Sequence, residues 1–150
     1  MSKRNRHIAL MEKLLIHLKN TKLGYLKAAD HANVSQDKRF FNQQAVYRNR
    51  FFQEILAELQ QLGMQYDDLV ISQFKFDQLL ISSIETLKST AVEKCLEADR
   101  ILLKIYHSLY EEGYENEKFM HHISSLEVAI EQTAIFAEDY SKKKILDSKY

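Results

Sequence analysis

Apolar side chains recur at alternating steps of three and four residues along the N-terminal stretch of the chain. This spacing is typical of a helix that packs one face into a bundle. One member of the series, Lys22, is charged and lies past its middle. Burying an unpaired ammonium group costs roughly several kcal/mol, so we expect Lys22 to have a partner. The series comprises Ile8, Met11, Leu15, Leu18, Lys22, Tyr25 and Ala29.

Three further series with the same steps predict three more helices, so helices are expected over residues 5–32, 36–62, 91–112 and 116–144. Each carries a polar residue near its middle. These are Arg48 in the second helix, Asp99 in the third and Glu127, which borders the fourth series. Gln44 adds a polar position on a second ridge of the second helix. The pattern predicts an inward polar cluster at mid-height of a four-helix bundle.

The predicted helix ends rest on a few residues. Gly63 and Gly113 follow the second and third series, where a glycine is favoured just after a helix. Ser35 is the candidate N-cap of the second helix. Thr90 and the glutamate three residues later have the spacing of a capping box before the third helix.

The link between the second and third helices is much longer than the other two links. Its residues 71–87 are rich in apolar side chains and predict an extra helix. One long crossover between two hairpins is found in ferritin-like bundles. The predicted fold class is all-α: a ferritin-like four-helix bundle with a long crossover containing an extra helix between helices 2 and 3. We expect one domain over residues 1–150, with flexible ends at about 1–5 and 145–150.

Composition narrows the possible classes of protein. The 21 basic residues balance 21 acidic ones, so no overall field favours nucleic acid or a membrane surface as a partner. No apolar run is long enough to span a bilayer, and the basic start is an amphipathic helix rather than a signal peptide. A single cysteine agrees with a reducing compartment, so we expect the cytoplasm.

Three stretches resemble a known family: residues 14–29 with the segment Gly24-Tyr25-Leu26-Lys27-Ala28-Ala29, residues 48–63, and residues 95–106 with Cys95. Over residues 11–137 the chain resembles an uncharacterised bacterial family of ferritin-like four-helix bundles, a domain of unknown function. The resemblance implies a cytoplasmic, often self-associating bundle related to rubrerythrin and ferritin. Family members carry a glutamate at about the position of Lys22 and another near Asp99, so the lysine departs from the family pattern.

A di-iron centre is the activity that such a fold would suggest first. It needs Glu-x-x-His motifs on two helices and a glutamate on each of the other two. The sequence contains no Glu-x-x-His. The inward set combines carboxylates with cations, which is a poor cage for two divalent ions. The candidate degenerate metal site comprises Lys22, Gln44, Arg48, Asp99 and Glu127.

Ion pairs offer an alternative reading of the same residues. We hypothesise that Lys22 pairs with Asp99, and Arg48 with Glu127, in place of the metal ions. The competing interpretation is that both cations reach along the helix surface to solvent. Three tyrosine hydroxyls are candidate hydrogen-bond partners of the cluster. They belong to Tyr25, Tyr47 and Tyr106.

The sequence favours a non-catalytic cytoplasmic bundle that self-associates or binds a protein partner, with no catalytic residue and no cofactor assigned. A ferritin- or rubrerythrin-like protein that binds iron or manganese is the alternative. A binder of a small ligand in a mid-bundle polar pocket is a third. Cys95 is expected to be a buried, inert thiol, and its reactivity stays open.

Overall fold

A computed structural model describes residues 2–73 and 88–149, with side chains over 2–73 and 91–139. Four α-helices lie in this part of the chain: Lys3–His31 (α1), Ser35–Gln61 (α2), Lys88–Glu111 (α3) and Glu117–Lys149 (α4). Two short 3-10 helices, Tyr66–Asp68 and Val70–Gln73, follow α2. Within the described ranges the chain has helices and no strand, which confirms the all-α prediction there. No described helix is long and apolar enough to cross a bilayer.

The four helices pack around a common core, and each runs antiparallel to its neighbours. Helix α1 packs against α2 and α3, and α4 packs against α3 and α2. Helices α2 and α3 therefore run parallel at diagonal corners, so α2 ends at the opposite end of the bundle from the start of α3. The contacts that set these directions include Arg6–Glu112, Tyr25–Asp99, Tyr106–His122, Glu54–His122 and Phe41–Phe136.

The core divides into two apolar clusters. The base, the end where α1 begins and α2 finishes, is filled by leucines, isoleucines and aromatic residues. The opposite end, the top, is lined mostly by small residues. They are Ala28, Ala29, Ala32, Ala45, Ala91, Cys95 and Ala137, packed with Val92, Tyr25 and Phe41. Small side chains at the top let the helices approach closely beside the buried polar residues.

Both predicted glycine stops are confirmed. Gly63 and Gly113 have φ of 91° and 89°, a left-handed conformation that glycine adopts without a Cβ clash. The residue after each glycine donates its N–H to a carbonyl five residues back, at 3.0 Å for Met64 and 3.2 Å for Tyr114. These bonds satisfy carbonyl groups that the end of a helix leaves open.

The predicted helix starts are less accurate. Val34 is the N-cap of α2, and Ser35 is already its first helical residue, so the Ser35 cap is wrong. Helix α3 already includes Lys88, which leaves Thr90 inside its first turn, so the predicted capping box is wrong as well. Packing of the apolar face contributes more to helix stability than a single capping residue, so packing decides how far a helix extends.

The basic start of α1 closes the base of the bundle. Arg4 donates a hydrogen bond to the carbonyl of Leu62, and the guanidinium of Arg6 lies 2.8 Å from the carboxylate of Glu112. The ring of His7 bonds the Glu112 carbonyl at 2.9 Å. The α1 start is thereby tied to both glycine turns.

The link after α2 is anchored on α1. Leu69 and Ile71 are buried in the base cluster, and the N–H of Val70 donates to Glu12 at 2.8 Å. The extra crossover helix was predicted over 71–87. Residues 71–73 belong to a 3-10 helix, and the remainder of that prediction lies outside the described residues.

Candidate functional site

A buried ion pair joins α2 to α3 at mid-height. Arg48 meets Asp99 in a two-pronged arrangement, with Nε to Oδ1 at 3.1 Å and Nη2 to Oδ2 at 2.6 Å. Arg48 is 1% exposed and Asp99 is fully buried. Guanidinium and carboxylate match in this geometry, which makes it one of the stronger pairings available to side chains. The pair replaces the solvation that both ions lose on folding.

Neighbouring side chains complete the coordination of both ions. The Tyr25 hydroxyl donates to Asp99 Oδ2 at 2.6 Å and lies 2.9 Å from the hydroxyl of Thr133 on α4. Arg48 Nη1 donates to the carbonyl and side-chain oxygens of Gln44, at 3.0 and 2.8 Å. The guanidinium carbon also lies 4.3 Å from the centre of the Tyr25 ring, a cation–π contact. We call these five residues the ion-pair network; it joins all four helices.

Burial and charge set the protonation states in this network. Burial alone would lower the pKa of Arg48, but the attraction and hydrogen bonding of Asp99, together with the attraction of Tyr25, outweigh burial, and the pKa is raised. Burial, then the negative charge of Asp99, raises the pKa of the Tyr25 hydroxyl. The same two causes, in the same order, raise the pKa of the nearby Cys95 thiol. The network therefore holds one cation and one anion, beside a thiol that stays protonated.

A second polar network lies closer to the base and joins α2, α3 and α4. His122 bonds the Tyr106 hydroxyl through Nδ1 at 2.8 Å and the Glu54 carboxylate through Nε2 at 2.7 Å. Its ring stacks on Phe51, with centroids 4.0 Å apart, and on Phe119 at 5.6 Å. We call Tyr106, His122 and Glu54 the histidine network.

The partners of His122 fix its tautomer. A carboxylate only accepts hydrogen bonds, so Nε2 carries the proton toward Glu54 and Nδ1 accepts from the Tyr106 hydroxyl. His122 is fully buried. Burial lowers the pKa of His122, and this effect outweighs the opposing attraction of Glu54. The neutral ring makes both hydrogen bonds, one to Glu54 and one from Tyr106. A second proton, on Nδ1, would point at the Tyr106 oxygen.

The ion pairs form between other partners than the sequence predicted. Lys22 is only half-buried and donates to Asn49 at 3.1 Å on the surface, so the Lys22–Asp99 pair is wrong. Glu127 is exposed, so the Arg48–Glu127 pair is wrong too. The long stem of Lys22 carries its ammonium out of the helix interface. Glu127 lies about 100° around the helix from buried Leu126, which turns it to solvent.

The other predicted site residues divide in the same way. Gln44, Arg48 and Asp99 come together, and Tyr25 completes their hydrogen bonds. Tyr106 is buried but belongs to the histidine network. Tyr47 is half-buried, and its hydroxyl accepts from Gln43 at 2.9 Å on the α2 surface, so its predicted role in the cluster is wrong.

The sequence interpretation overlooked His122, Glu54 and Thr133 as members of buried networks. A signal for two of them was present, because a second series with steps of three and four runs through the fourth helix. It comprises Phe119, His122, Leu126, Ala129, Thr133 and Ala137, all buried. The predicted series of the fourth helix shares four of these residues but runs through Ile123 and Ile130, so the choice between the two series decides whether His122 faces inward.

The donors of the two networks are a poor match for a metal ion. Among the described residues, no three His, Cys, Asp or Glu side chains converge as metal ligands. The oxygens of Asp99 are occupied by two guanidinium nitrogens and a tyrosine hydroxyl. A guanidinium at the centre of the site also repels a divalent cation. The donor set of the ion-pair network therefore does not fit a di-metal centre.

Comparisons with protein-family models, with curated proteins and with solved structures found no match. The ferritin-like resemblance stays a prediction, and function has to be argued from the geometry of the site and the surface.

Proposed function

We propose that this chain is a non-catalytic, ferritin-like helical bundle that acts by binding a protein partner. In this proposal the ion-pair network holds the four helices together at the height where ferritin-like bundles carry metal ions. The outer face of α4 is the binding surface.

The helix directions support the ferritin-like part of the proposal. Helices α2 and α3 lie parallel at diagonal corners, which is the arrangement that the single long crossover of ferritin-like bundles connects. The bond from Val70 to Glu12 holds the start of that connection against α1.

The donor chemistry supports a non-metal centre. Arg48 supplies the positive charge that metal ions would bring to the carboxylate of Asp99, and does so through a matched two-pronged contact. Elemental analysis of untagged protein is expected to find iron, manganese and zinc far below one ion per chain. Stoichiometric metal that disappears in Asp99→Ala would contradict this part of the proposal.

The proposed binding role rests on apolar side chains that are exposed on the outer face of α4. Met120, Val128 and Ile135 are 51%, 53% and 60% exposed. At about 100° per residue, their spacing of eight and seven residues places them within about 80° of the helix surface, on the side opposite the buried series. Exposed Glu127 and Glu131 lie on the same face. Exposed apolar side chains interspersed with acidic residues favour an amphipathic helix whose apolar face is flanked by lysine or arginine.

A synthetic amphipathic peptide of leucine and lysine is a direct probe of this surface. We expect it to bind in a fluorescence anisotropy titration, and expect the double variant Val128→Glu, Ile135→Glu to weaken binding about tenfold or more, as a loss of 1.4 kcal/mol or more implies. A leucine–glutamate peptide of the same length is expected not to bind.

Val46→Glu is the matched control, because Val46 is 59% exposed on α2, away from this face. It is expected to leave peptide binding unchanged. Equal weakening by the control, or no binding by the wild type, would contradict the proposal. A concentration-dependent dimer that the α4 variant abolishes, without peptide binding, would instead assign the face to a second copy.

A further inference from the structure

A surface cleft between α1 and α2 is lined by lysines, side-chain amides and aromatic rings. Two ammonium groups, Lys19 and Lys22, line it from α1, with Asn49 and Gln53 opposite on α2. The aromatic rings of Phe52 and Tyr66 complete its wall. Among the described residues, those that line this cleft include no carboxylate. The cleft offers hydrogen-bond donors and positive charge next to apolar ring surface.

The sequence of α1 concentrates positive charge beside this cleft. From Lys13 to Lys27 the helix carries four lysines and no aspartate or glutamate, although the whole chain is neutral. Two of these lysines, Lys19 and Lys22, line the cleft, and a concave surface focuses their field. The two charges favour an anionic group inside the cleft, although the whole chain is neutral.

Two contacts arrange the cleft before any ligand enters. The Lys22 ammonium donates to Asn49 Oδ1 at 3.1 Å, which directs it across the gap between the helices. Tyr66 begins the 3-10 helix Tyr66–Asp68, whose position is fixed by Leu69, 1% exposed in the base cluster. Tyr66 itself is 39% exposed, so one side of its ring is available. Ordering these groups beforehand lowers the entropic cost of binding.

We propose that this cleft binds a small organic anion, a carboxylate or phosphate group carried on a single aromatic ring. The lysines and the side-chain amides take the anionic group, and the ring packs against Phe52 and Tyr66. The space measures about 180 Å³, close to the roughly 150 Å³ of an engineered cavity that holds one benzene molecule. The space is therefore large enough for one aromatic ring.

Phenyl phosphate and benzoate are suitable probes, titrated by two-dimensional NMR on the full chain. Both are expected to shift the signals of residues around the cleft and to saturate, and the tighter of the two identifies the anionic group. Uncharged benzyl alcohol is expected to bind about tenfold more weakly, because each 1.4 kcal/mol of lost attraction is a factor of ten. Saturable binding of benzyl alcohol as tight as that of both anions would overturn the proposal.

Lys22→Met keeps the length of the side chain and removes its charge. It is expected to weaken binding of both anions about tenfold, while Lys13→Met, an exposed change on the same helix, leaves it within twofold. Tyr66→Ala tests the ring contact independently and is expected to weaken phenyl phosphate but not inorganic phosphate. No saturable shift with either anion, or equal weakening by Lys13→Met, would overturn the proposal.

Discussion

The two buried polar networks use similar side chains but differ in how they meet solvent. Every member of the ion-pair network is at most 4% exposed. The histidine network also has a buried centre, but it ends at Glu54, whose side chain is 30% exposed. One network is a sealed pair of permanent charges, and the other connects a titratable ring to the surface.

This difference separates two physical roles. A sealed ion pair contributes little net stability, because desolvation offsets attraction, but it penalises strongly any change that leaves one charge alone. A neutral imidazole with a surface carboxylate responds to pH, because the unfolded chain binds a proton that the folded ring resists. Variants that act on one network and spare the other test this distinction.

Asp99→Ala is expected to have the largest effect. It leaves the Arg48 guanidinium buried without its carboxylate, which costs about 3–5 kcal/mol in unfolding free energy. Urea denaturation followed by circular dichroism measures the loss. A cost below about 1 kcal/mol, the range of an exposed ion pair, would contradict a sealed network.

The same tyrosine-to-phenylalanine change can be made in each network. Tyr25→Phe removes a donor to a buried carboxylate and is expected to cost about 1.5–3 kcal/mol. Tyr106→Phe removes a donor to a neutral ring and is expected to cost about 0.5–1.5 kcal/mol. Urea denaturation of the two variants measures the loss of unfolding free energy in each. A larger loss in Tyr106→Phe than in Tyr25→Phe would contradict the assignment of the charged hydrogen-bond acceptor to the ion-pair network.

The pH dependence of stability is expected to come from the histidine network. Since the folded pKa of His122 is lowered, stability is full above the unfolded value of about 6.5 and falls as pH drops below it, by at most about 1.4 kcal/mol per pH unit. Glu54, His121 and Lys118 set the local field. His17, whose pKa is also lowered, by burial and by Lys13, acts in the same direction.

His122→Gln keeps groups able to bond Tyr106 and Glu54 but does not titrate. Urea denaturation between pH 7 and 5 is expected to show a shallower dependence of unfolding free energy on pH than in the wild type. His17→Gln is the matched variant that measures the contribution of the other histidine. A slope unchanged by His122→Gln would show that folding does not change the pKa of the ring, and would contradict the role given to the histidine network.

Lys22→Met is expected to have the smallest effect on stability. The lysine makes a surface hydrogen bond to Asn49, so its loss should change unfolding free energy by less than about 0.5 kcal/mol. A loss comparable to that of Asp99→Ala would restore the predicted buried role of Lys22.

The sequence predicted the helices well because a spacing of three and four residues records which side of a helix is apolar. It could not fix how each helix rotates within the bundle. Glu127 borders the predicted series of the fourth helix, so the rotation of that helix decides whether its side chain faces the interface or solvent. Long side chains add a second uncertainty, since Arg48 turns inward and Lys22 outward from equivalent positions. The sequence therefore predicted which polar residues are buried better than it predicted which ion pairs they form.

The most direct test of the ion-pair network compares Asp99→Leu with the double variant Arg48→Met, Asp99→Leu by urea denaturation. If the network is a sealed pair, the single variant loses about 3–5 kcal/mol and the double variant recovers most of that loss, because no charge is left alone. A double variant as unstable as the single one, or less stable, would contradict the pairing of Arg48 with Asp99 as the centre of the bundle.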